Sequence, residues 1–230
     1  MITPILLSEV VLPRSHPRAA AACVVFGFVI HHDDGPVLVD TGVGVGHPEI
    51  DSAFSPVHHP ISEELAGVGL AIGDVRMVIN SHLHFDHCGN NRLFPDVPLV
   101  AQLTEYENAR EPGYTIPGWV DFPGANWEPV DGESEVLPGV TVFPTPGHTP
   151  GHQSVAVSTG DVVKVIAGQA AYDPDELEAE ASVEELDESE AAETAVSARR
   201  IKAMNPTRVY FSHDARVWRH HMASDAPTEY

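Results

Sequence analysis

The stretch from Ser81 to Gly89 constrains this chain more than any other part of its sequence. It reads Ser-His-Leu-His-Phe-Asp-His-Cys-Gly, which places four potential metal ligands within six residues. The run before it, residues 75–80, is apolar and β-branched and therefore predicts a buried strand. We expect the four side chains on a turn at a strand end, where polar groups can converge on an open site. Imidazole and carboxylate ligands together suit zinc, iron or manganese.

Two further strand-like runs end in histidines. Residues 140–143 lead into Pro-Gly-His-Thr-Pro-Gly-His, which contains His148, and residues 208–211 lead into Ser-His-Asp, which contains His213. Histidines that share one solvated loop by chance would have no such partners elsewhere in the chain. Because separate strand ends each deliver a histidine, we predict that they meet around a metal ion.

These three motifs together resemble those of the metallo-β-lactamase superfamily, and most closely its N-acyl-homoserine lactonase branch. In that branch a strand ends in Asp-x-x-Tyr, and here Gln169 and Tyr172 occupy the two matching positions. The resemblance runs from about Val37 to Asp214. By pattern alone, clustered strands with a few helices between them predict a mixed α/β or α+β fold. The resemblance implies a four-layer αββα sandwich with the site along one edge.

The resemblance also implies a role for each matched residue. One metal position would take His82, His84 and His148, and the other would take Asp86, His87 and His213. Asp40 would support the metal-bound histidines, because such histidines commonly donate their second N–H to a carboxylate.

Gln169 departs from the family, which has a metal-bridging aspartate at this position. An amide is neutral and offers one carbonyl oxygen, while its two N–H donors repel a cation. Three outcomes are open: a single metal, two metals held more weakly, or a degenerate site. One zinc ion is the expectation, with two ions, iron or manganese as alternatives, since Asp86, His87 and His213 also suit Fe(II).

The function we predict is a cytoplasmic metal-dependent hydrolase that opens a lactone or a related ester. Asp86 would hold metal and manage a proton, and Tyr172 would steady the carbonyl oxygen or protonate the leaving alkoxide. Alternatives are a mononuclear iron-dependent oxidoreductase or dioxygenase on the same fold, a thioesterase or amide hydrolase, and a binding protein with a relic site.

Composition restricts the partners. The net charge of −22 argues against nucleic acid and anionic membrane surfaces. The hydrolase that the resemblance implies would act on a small-molecule substrate. The longest uninterrupted apolar run, residues 19–30, is too short to cross a bilayer, and the first nine residues lack the basic region of a signal peptide. The length of 230 residues allows one domain or a tight two-lobed one. We predict a single metallo-β-lactamase-like domain over residues 1–230, and oligomeric state is not readable.

Several local expectations follow from the pattern. Cys23 and Cys88 are expected to be packing residues and not a disulfide. Residues 1–13 predict an edge strand, Ser62 a helix N-cap, residues 89–94 a helix, and residues 189–204 another helix. The acidic residues 173–193 predict a solvated segment. The aromatic residues within 111–128 would either line the substrate site or anchor their loop.

Overall fold

The computed structural model describes residues 1–14, 22–183 and 190–220, whose strands form two sheets. The strands of the first sheet are β1 Ile2–Val11, β2 Ala22–Ile30, β3 Val37–Val39, β4 Val57–His58, β5 Met77–Ile79, β6 Pro98–Val100 and β7 Asn126–Trp127. Their order is β4-β1-β2-β3-β5-β6-β7. Strands β1, β2 and β3 pair antiparallel, and the pairing is parallel from β3 through β7.

The second sheet is mostly antiparallel. Its strands are β8 Ser134–Leu137, β9 Val140–Pro144, β10 Gln153–Thr159, β11 Val162–Gly168, β12 Arg208–Phe211 and β13 Asp214–Arg219. They are ordered β13-β12-β11-β10-β9-β8, and only β11 and β12 run parallel among these neighbours. Because β11 and β12 are parallel, their C-terminal ends lie at the same edge of the sheet.

Helices cover the outer face of each sheet. They are α1 Pro48–Phe54, α2 Ile61–Gly67, α3 Phe85–Cys88, α4 Leu103–Asn108, α5 Pro117–Val120, α6 Pro174–Ala181 and α7 Glu190–Ala203. Leu65 of α2 packs against Val78 and Leu99 on the first sheet, whereas α6 and α7 bury Leu177 and Ile201 against the second. Strands such as β5 are apolar throughout because both of their faces are covered.

The two sheets face each other across a shared apolar core. The first sheet contributes Phe28, Ile30 and Val39 among others, and the second contributes Val155 and Ile166. The layers therefore run helix, sheet, sheet, helix, which confirms the αββα sandwich that the family resemblance implied. The turn between the antiparallel strands β2 and β3 includes Asp34 and Gly35, and Gly35 has a φ of 114°.

Three local predictions were wrong. Strand β1 is not an edge strand, because β4 pairs with its Ser8 and Glu9 on the side opposite β2. Helix α2 has Pro60 at its N-cap in place of Ser62, since the Pro60 carbonyl already accepts the N–H groups of Glu63 and Glu64. After the metal-ligand motif the short helix α3 ends at Cys88, and only a 3₁₀ turn follows it at Asn91–Leu93.

The acidic segment, predicted to be solvated, contains a helix with one buried side chain. Helix α6 begins within it, where Asp173 caps the helix by accepting the N–H of Glu176 at 2.9 Å. Leu177 of this helix is fully buried. Residues 184–189 of the segment lie outside the described residues, and so does the first residue of the helix predicted at 189–204. The same holds for residues 19–21 of the apolar run 19–30. That residues 1–230 form one domain stays a prediction.

No helix in residues 1–14, 22–183 or 190–220 has the length and apolar character needed to cross a membrane.

We expect Leu65→Ala to lower the free energy of unfolding by about 2–5 kcal/mol, because it leaves a cavity under helix α2. The matched control is Leu103→Ala, since Leu103 is 41% exposed and its loss should change the free energy by about 0.5 kcal/mol or less. Urea denaturation of the two variants and the parent gives the comparison. Equal losses in both variants would contradict the placement of α2 against the sheet.

Candidate metal centre

Polar residues from five strand ends meet at one edge of the sandwich. Asp40 follows β3, the Ser81–Cys88 motif follows β5, His148 follows β9, Gln169 follows β11 and His213 follows β12. A strand end is the point at which backbone hydrogen bonding stops, so the side chains that follow it can turn toward a common centre.

The six side chains predicted as metal ligands form two groups of three. His82, His84 and His148 make one group, called here the three-histidine group, and Asp86, His87 and His213 make the other, called here the aspartate group. Within each group the potential ligand atoms all lie within 4.8 Å of one another. These are the two sets that the family resemblance implied, and the structure brings together every residue of both.

Asp40 orients the aspartate group. Its buried carboxylate accepts His87 Nδ1–H at 2.8 Å, and it also accepts the backbone N–H and the hydroxyl of Ser81, both at 2.7 Å. His213 Nδ1 donates to the carbonyl of Val24 at 2.9 Å. Each imidazole therefore carries its hydrogen on Nδ1 and presents Nε2 toward Asp86, at 3.6 Å from His87 and 3.8 Å from His213.

Two buried ring nitrogens fit a bound cation. His82 Nε2 and His87 Nε2 have no hydrogen-bond partner within the described part of the chain. A buried polar atom left without a partner costs about 1–3 kcal/mol, so native structures seldom keep one without a reason. One such nitrogen belongs to each group, and a metal ion at each position would satisfy both.

Burial keeps the three-histidine group neutral. It lowers the pKa of His82, an effect that His87 and His148 strengthen, and it lowers the pKa of His84 and His148 as well. His84 Nδ1 and His148 Nε2 lie only 3.1 Å apart. Because a metal binds unprotonated imidazole, this group has no proton to displace before it accepts an ion.

The aspartate group has a different charge balance. Burial opposes protonation of His87, but Asp86 and Asp40 outweigh it and raise its pKa to about 9. Burial lowers the pKa of His213 to about 4. Burial alone would raise the pKa of Asp86, yet the neighbouring His87 and His213 hold it below its ordinary value. The group therefore contains a carboxylate that is ionised at neutral pH.

Gln169 and Tyr172 lie beside the aspartate group. Gln169 Nε2 donates to the Tyr172 hydroxyl at 2.6 Å. The Tyr172 ring stacks on the His213 ring, with centroids 5.4 Å apart. Because the Tyr172 oxygen accepts the amide hydrogen, the phenolic hydrogen is directed away from Gln169. The altered bridging position is thus hydrogen-bonded to the tyrosine predicted to act in catalysis.

The second histidine of the Pro-Gly-His-Thr-Pro-Gly-His motif, His152, was not assigned a role from the sequence. Its Nδ1 donates to the Thr145 carbonyl at 3.0 Å, and its Nε2 accepts the Gln169 backbone N–H at 3.0 Å. Both ring nitrogens are used, so His152 holds the turn before Gln169 and is not available to a metal. Gly168, at a φ of 63°, is required here because a Cβ would lie 2.8 Å from His152 Nε2.

Sequence reasoning also missed Glu105 in helix α4. Its fully buried carboxylate accepts the Leu83 N–H at 2.8 Å, the Thr149 hydroxyl at 2.8 Å and the Tyr114 hydroxyl at 2.5 Å. No motif marks this glutamate, since its partners are distant in sequence. His152, in contrast, could have been found from the sequence, because the Pro-Gly-His-Thr-Pro-Gly-His motif repeats its Gly-His pair.

The aromatic residues of 111–128 mostly anchor their segment. Trp119 is 3% exposed in the core of the first sheet, and the Trp127 indole donates to the Val120 carbonyl at 2.9 Å. Tyr114 is the one that reaches the centre, with its ring 5.1 Å from that of His84.

Cys88 is buried, as expected of a packing residue, and burial raises the pKa of its thiol to about 12.

A cavity of about 190 Å³ opens over both groups. Its polar side is formed by His84, Asp86, His148, Gln169, Tyr172 and His213, and its other side by Val10, Leu12, Cys23, Phe54 and Phe85. The apolar wall can accept a hydrocarbon chain while the polar side contacts a reacting group.

Comparison with known proteins agrees with this geometry. A Bacillus N-acyl homoserine lactonase is 32% identical over 205 residues, which cover 83% of this chain and 81% of that protein. N-acyl homoserine lactonase AttM of Rhizobium radiobacter is 32% identical over 153 residues, covering 56% and 58%. The crystal structure of a Bacillus thuringiensis AiiA mutant with N-decanoyl-L-homoserine bound at its active site has a TM-score of 0.77 and 27% identity, and the match covers 93% of each chain.

The family model described as the metallo-beta-lactamase superfamily matches residues 20–213, a span that includes both ligand groups. With that match, the αββα layers and the lactonase relatives in agreement, the chain belongs to the metallo-β-lactamase superfamily.

Proposed function

We propose that this chain is a metal-dependent hydrolase that opens the lactone ring of an N-acyl homoserine lactone or a closely similar ester. The observation that carries the proposal is that two metal-ligand groups and Tyr172 share one cavity with an apolar wall. The ligand groups and the phenol suit the lactone carbonyl, and the wall suits an acyl chain. The lactonase relatives support the same substrate class.

The residues that would hold metal are His82, His84 and His148 at one position, and Asp86, His87 and His213 at the other. When bound, a zinc ion supplies Lewis acidity toward a carbonyl and lowers the pKa of water. Zinc is the proposed metal because neutral imidazole and carboxylate are its common ligands, and the same donors also accept iron or manganese.

Tyr172 is the proposed acid. In hydrolysis the water oxygen bonds to the carbonyl carbon, the ring C–O bond breaks, and the leaving alkoxide takes up a proton. Tyr172 would donate that proton, and the proton that Asp86 takes from the attacking water would then restore the phenol, so that one water is consumed and both residues are regenerated. The Gln169 amide fixes the phenol oxygen by donating to it, which orients the phenolic hydrogen.

The other predicted activities are less well supported. The iron-dependent oxidoreductase, the thioesterase and the amide hydrolase are not favoured, because the similar curated proteins are named as lactonases. A binding protein with a relic site is also disfavoured, because all six side chains of the two ligand groups are present and close together.

Removing metal should abolish hydrolysis. We expect protein treated with a strong chelator and freed of it to lose activity on an N-acyl homoserine lactone, and zinc to restore it. Its Tm should also fall, because an ion bound only by the folded state stabilises that state. The measurements are ring opening by pH-stat, metal content by elemental analysis, and thermal unfolding. Full activity in protein verified to be metal-free would rule out the proposed function.

Tyr172→Phe should lower kcat by roughly 10²- to 10⁴-fold, the range for loss of a general acid. Metal content should be unchanged, since Tyr172 belongs to neither ligand group. Tyr106→Phe is the matched control, because it removes a phenol outside the cavity. Unaltered steady-state constants in Tyr172→Phe would remove this residue from the mechanism.

The native protein is expected to hold fewer than two tightly bound metals per chain, with one the most favoured number. A neutral amide between two cations screens their repulsion less than a carboxylate would, so the more weakly bound ion is lost first. Gln169→Asp should therefore raise the metal content toward two.

Gln169→Asn is the control for that change, because it shortens the side chain without adding charge and should leave the metal content as it is. Elemental analysis of the three proteins, purified side by side from zinc-supplemented medium, gives the answer. Two tightly held ions in the native protein would refute the argument from charge.

A further inference from the structure

Glu105 is a buried carboxylate without a counter-ion. It is fully shielded from solvent, and no lysine, arginine or histidine in the described ranges forms an ion pair with it. Taking a charge out of water is costly unless the charge is both hydrogen-bonded and compensated by an opposite one. Three hydrogen bonds meet the first requirement, and no residue in the described ranges meets the second.

The three donors to Glu105 surround the three-histidine group. The Leu83 N–H lies between His82 and His84 in sequence, and Thr149 directly follows His148. The third donor is Tyr114, whose ring contacts the ring of His84. One carboxylate therefore connects the two loops that carry all three histidines.

Close packing fixes Glu105 against the second of those loops. A Cβ on Gly151 would lie 2.3 Å from the Glu105 backbone nitrogen and 2.5 Å from its Cα, so only glycine allows the first turn of α4 to approach the loop this closely. The contact fixes the Glu105 backbone against the loop, and the three hydrogen bonds fix its carboxylate. Its charge thus has a fixed place beside the group.

The negative charge of Glu105 matters beside the three-histidine group because that group contains no acid. The aspartate group has Asp86 as a member and Asp40 bonded to His87. A divalent ion among three neutral imidazoles would have no comparable compensation from its ligands. Glu105 also acts electrostatically on His84, since its negative charge favours the protonated form of that ring.

We propose that Glu105 is a positioning residue for the three-histidine position, where it joins the two histidine loops and supplies the negative charge that compensates a bound divalent ion. It acts through Leu83, Thr149 and Tyr114 and does not touch the ion. The proposal rests on the metal binding that the proposed function requires, and it adds that the three-histidine position takes up the ion.

The test compares zinc binding by Glu105→Gln with that of the parent and of Glu107→Gln. The first variant removes the charge while keeping the shape of the side chain. Glu107 is exposed on the same helix, so the control removes an equal charge outside the centre. Calorimetric titration of zinc into metal-free protein should show affinity about 10- to 100-fold weaker in Glu105→Gln, the usual loss for such a partner. The control should match the parent.

Thermal unfolding separates this role from general scaffolding. We expect the zinc-induced rise in Tm to shrink in Glu105→Gln, because weaker binding gives less stabilisation. A purely structural glutamate would lower the Tm of the metal-free and zinc-loaded proteins equally and leave the rise unchanged, and that result would overturn the proposal.

Tyr114→Phe provides a second variant if Glu105→Gln does not fold. It removes one hydrogen bond and keeps the charge, so its zinc affinity should fall, but by less than in Glu105→Gln where both can be measured. Unchanged zinc affinity in Tyr114→Phe would count against the coupling of Glu105 to the histidine loops. If the parent binds zinc but opens no lactone, the proposed function fails while this inference still stands.

Discussion

The carboxylate of Asp40 is the contact on which the arrangement of the centre depends. It stands at the end of β3 and accepts three hydrogen bonds from Ser81 and His87, which follow the adjacent parallel strand β5. Asp40 takes a left-handed backbone conformation to do so, with a φ of 61°, which is strained for a residue other than glycine. That strain is offset by charge-assisted hydrogen bonds in a fully buried setting, where such bonds are strong. Without Asp40 the His87 ring would have neither a fixed tautomer nor a fixed direction.

Burial and charge are balanced separately on the two sides of the centre. On one side burial lowers the pKa of His82, His84 and His148, so they are neutral without any help from an acid. On the other side Asp86 and Asp40 outweigh burial and raise the pKa of His87. A cation therefore meets neutral donors at one position and an anionic donor at the other, which is why a buried acid such as Glu105 matters on the neutral side.

Membership of the superfamily is a better guide to the fold and to the placement of the metal ligands than to the chemical role of each residue. Gln169 is held in place by His152 through its backbone and donates to Tyr172 through its side chain. The neutral amide lacks the charge with which a carboxylate would bridge two cations. This position therefore combines a chemical departure from the family pattern with a hydrogen bond to Tyr172. The relatives alone do not predict that combination.

The sequence by itself determined the main strands and the candidate metal ligands of this protein, because local patterns reflect interactions between residues that are close in the chain. Apolar runs gave the main strands, and the six metal-ligand candidates were evident because each follows such a run. The tertiary structure alone decided that β4 pairs with β1 and that Pro60, in place of Ser62, is the N-cap of α2. It alone decided that a helix within the acidic segment packs its Leu177 side chain into the core. It alone showed Glu105 beneath the histidine loops, as its donors Leu83, Tyr114 and Thr149 come from three separated segments. Such contacts depend on which elements pack together, and packing is a property of the whole fold that no local pattern of residues encodes.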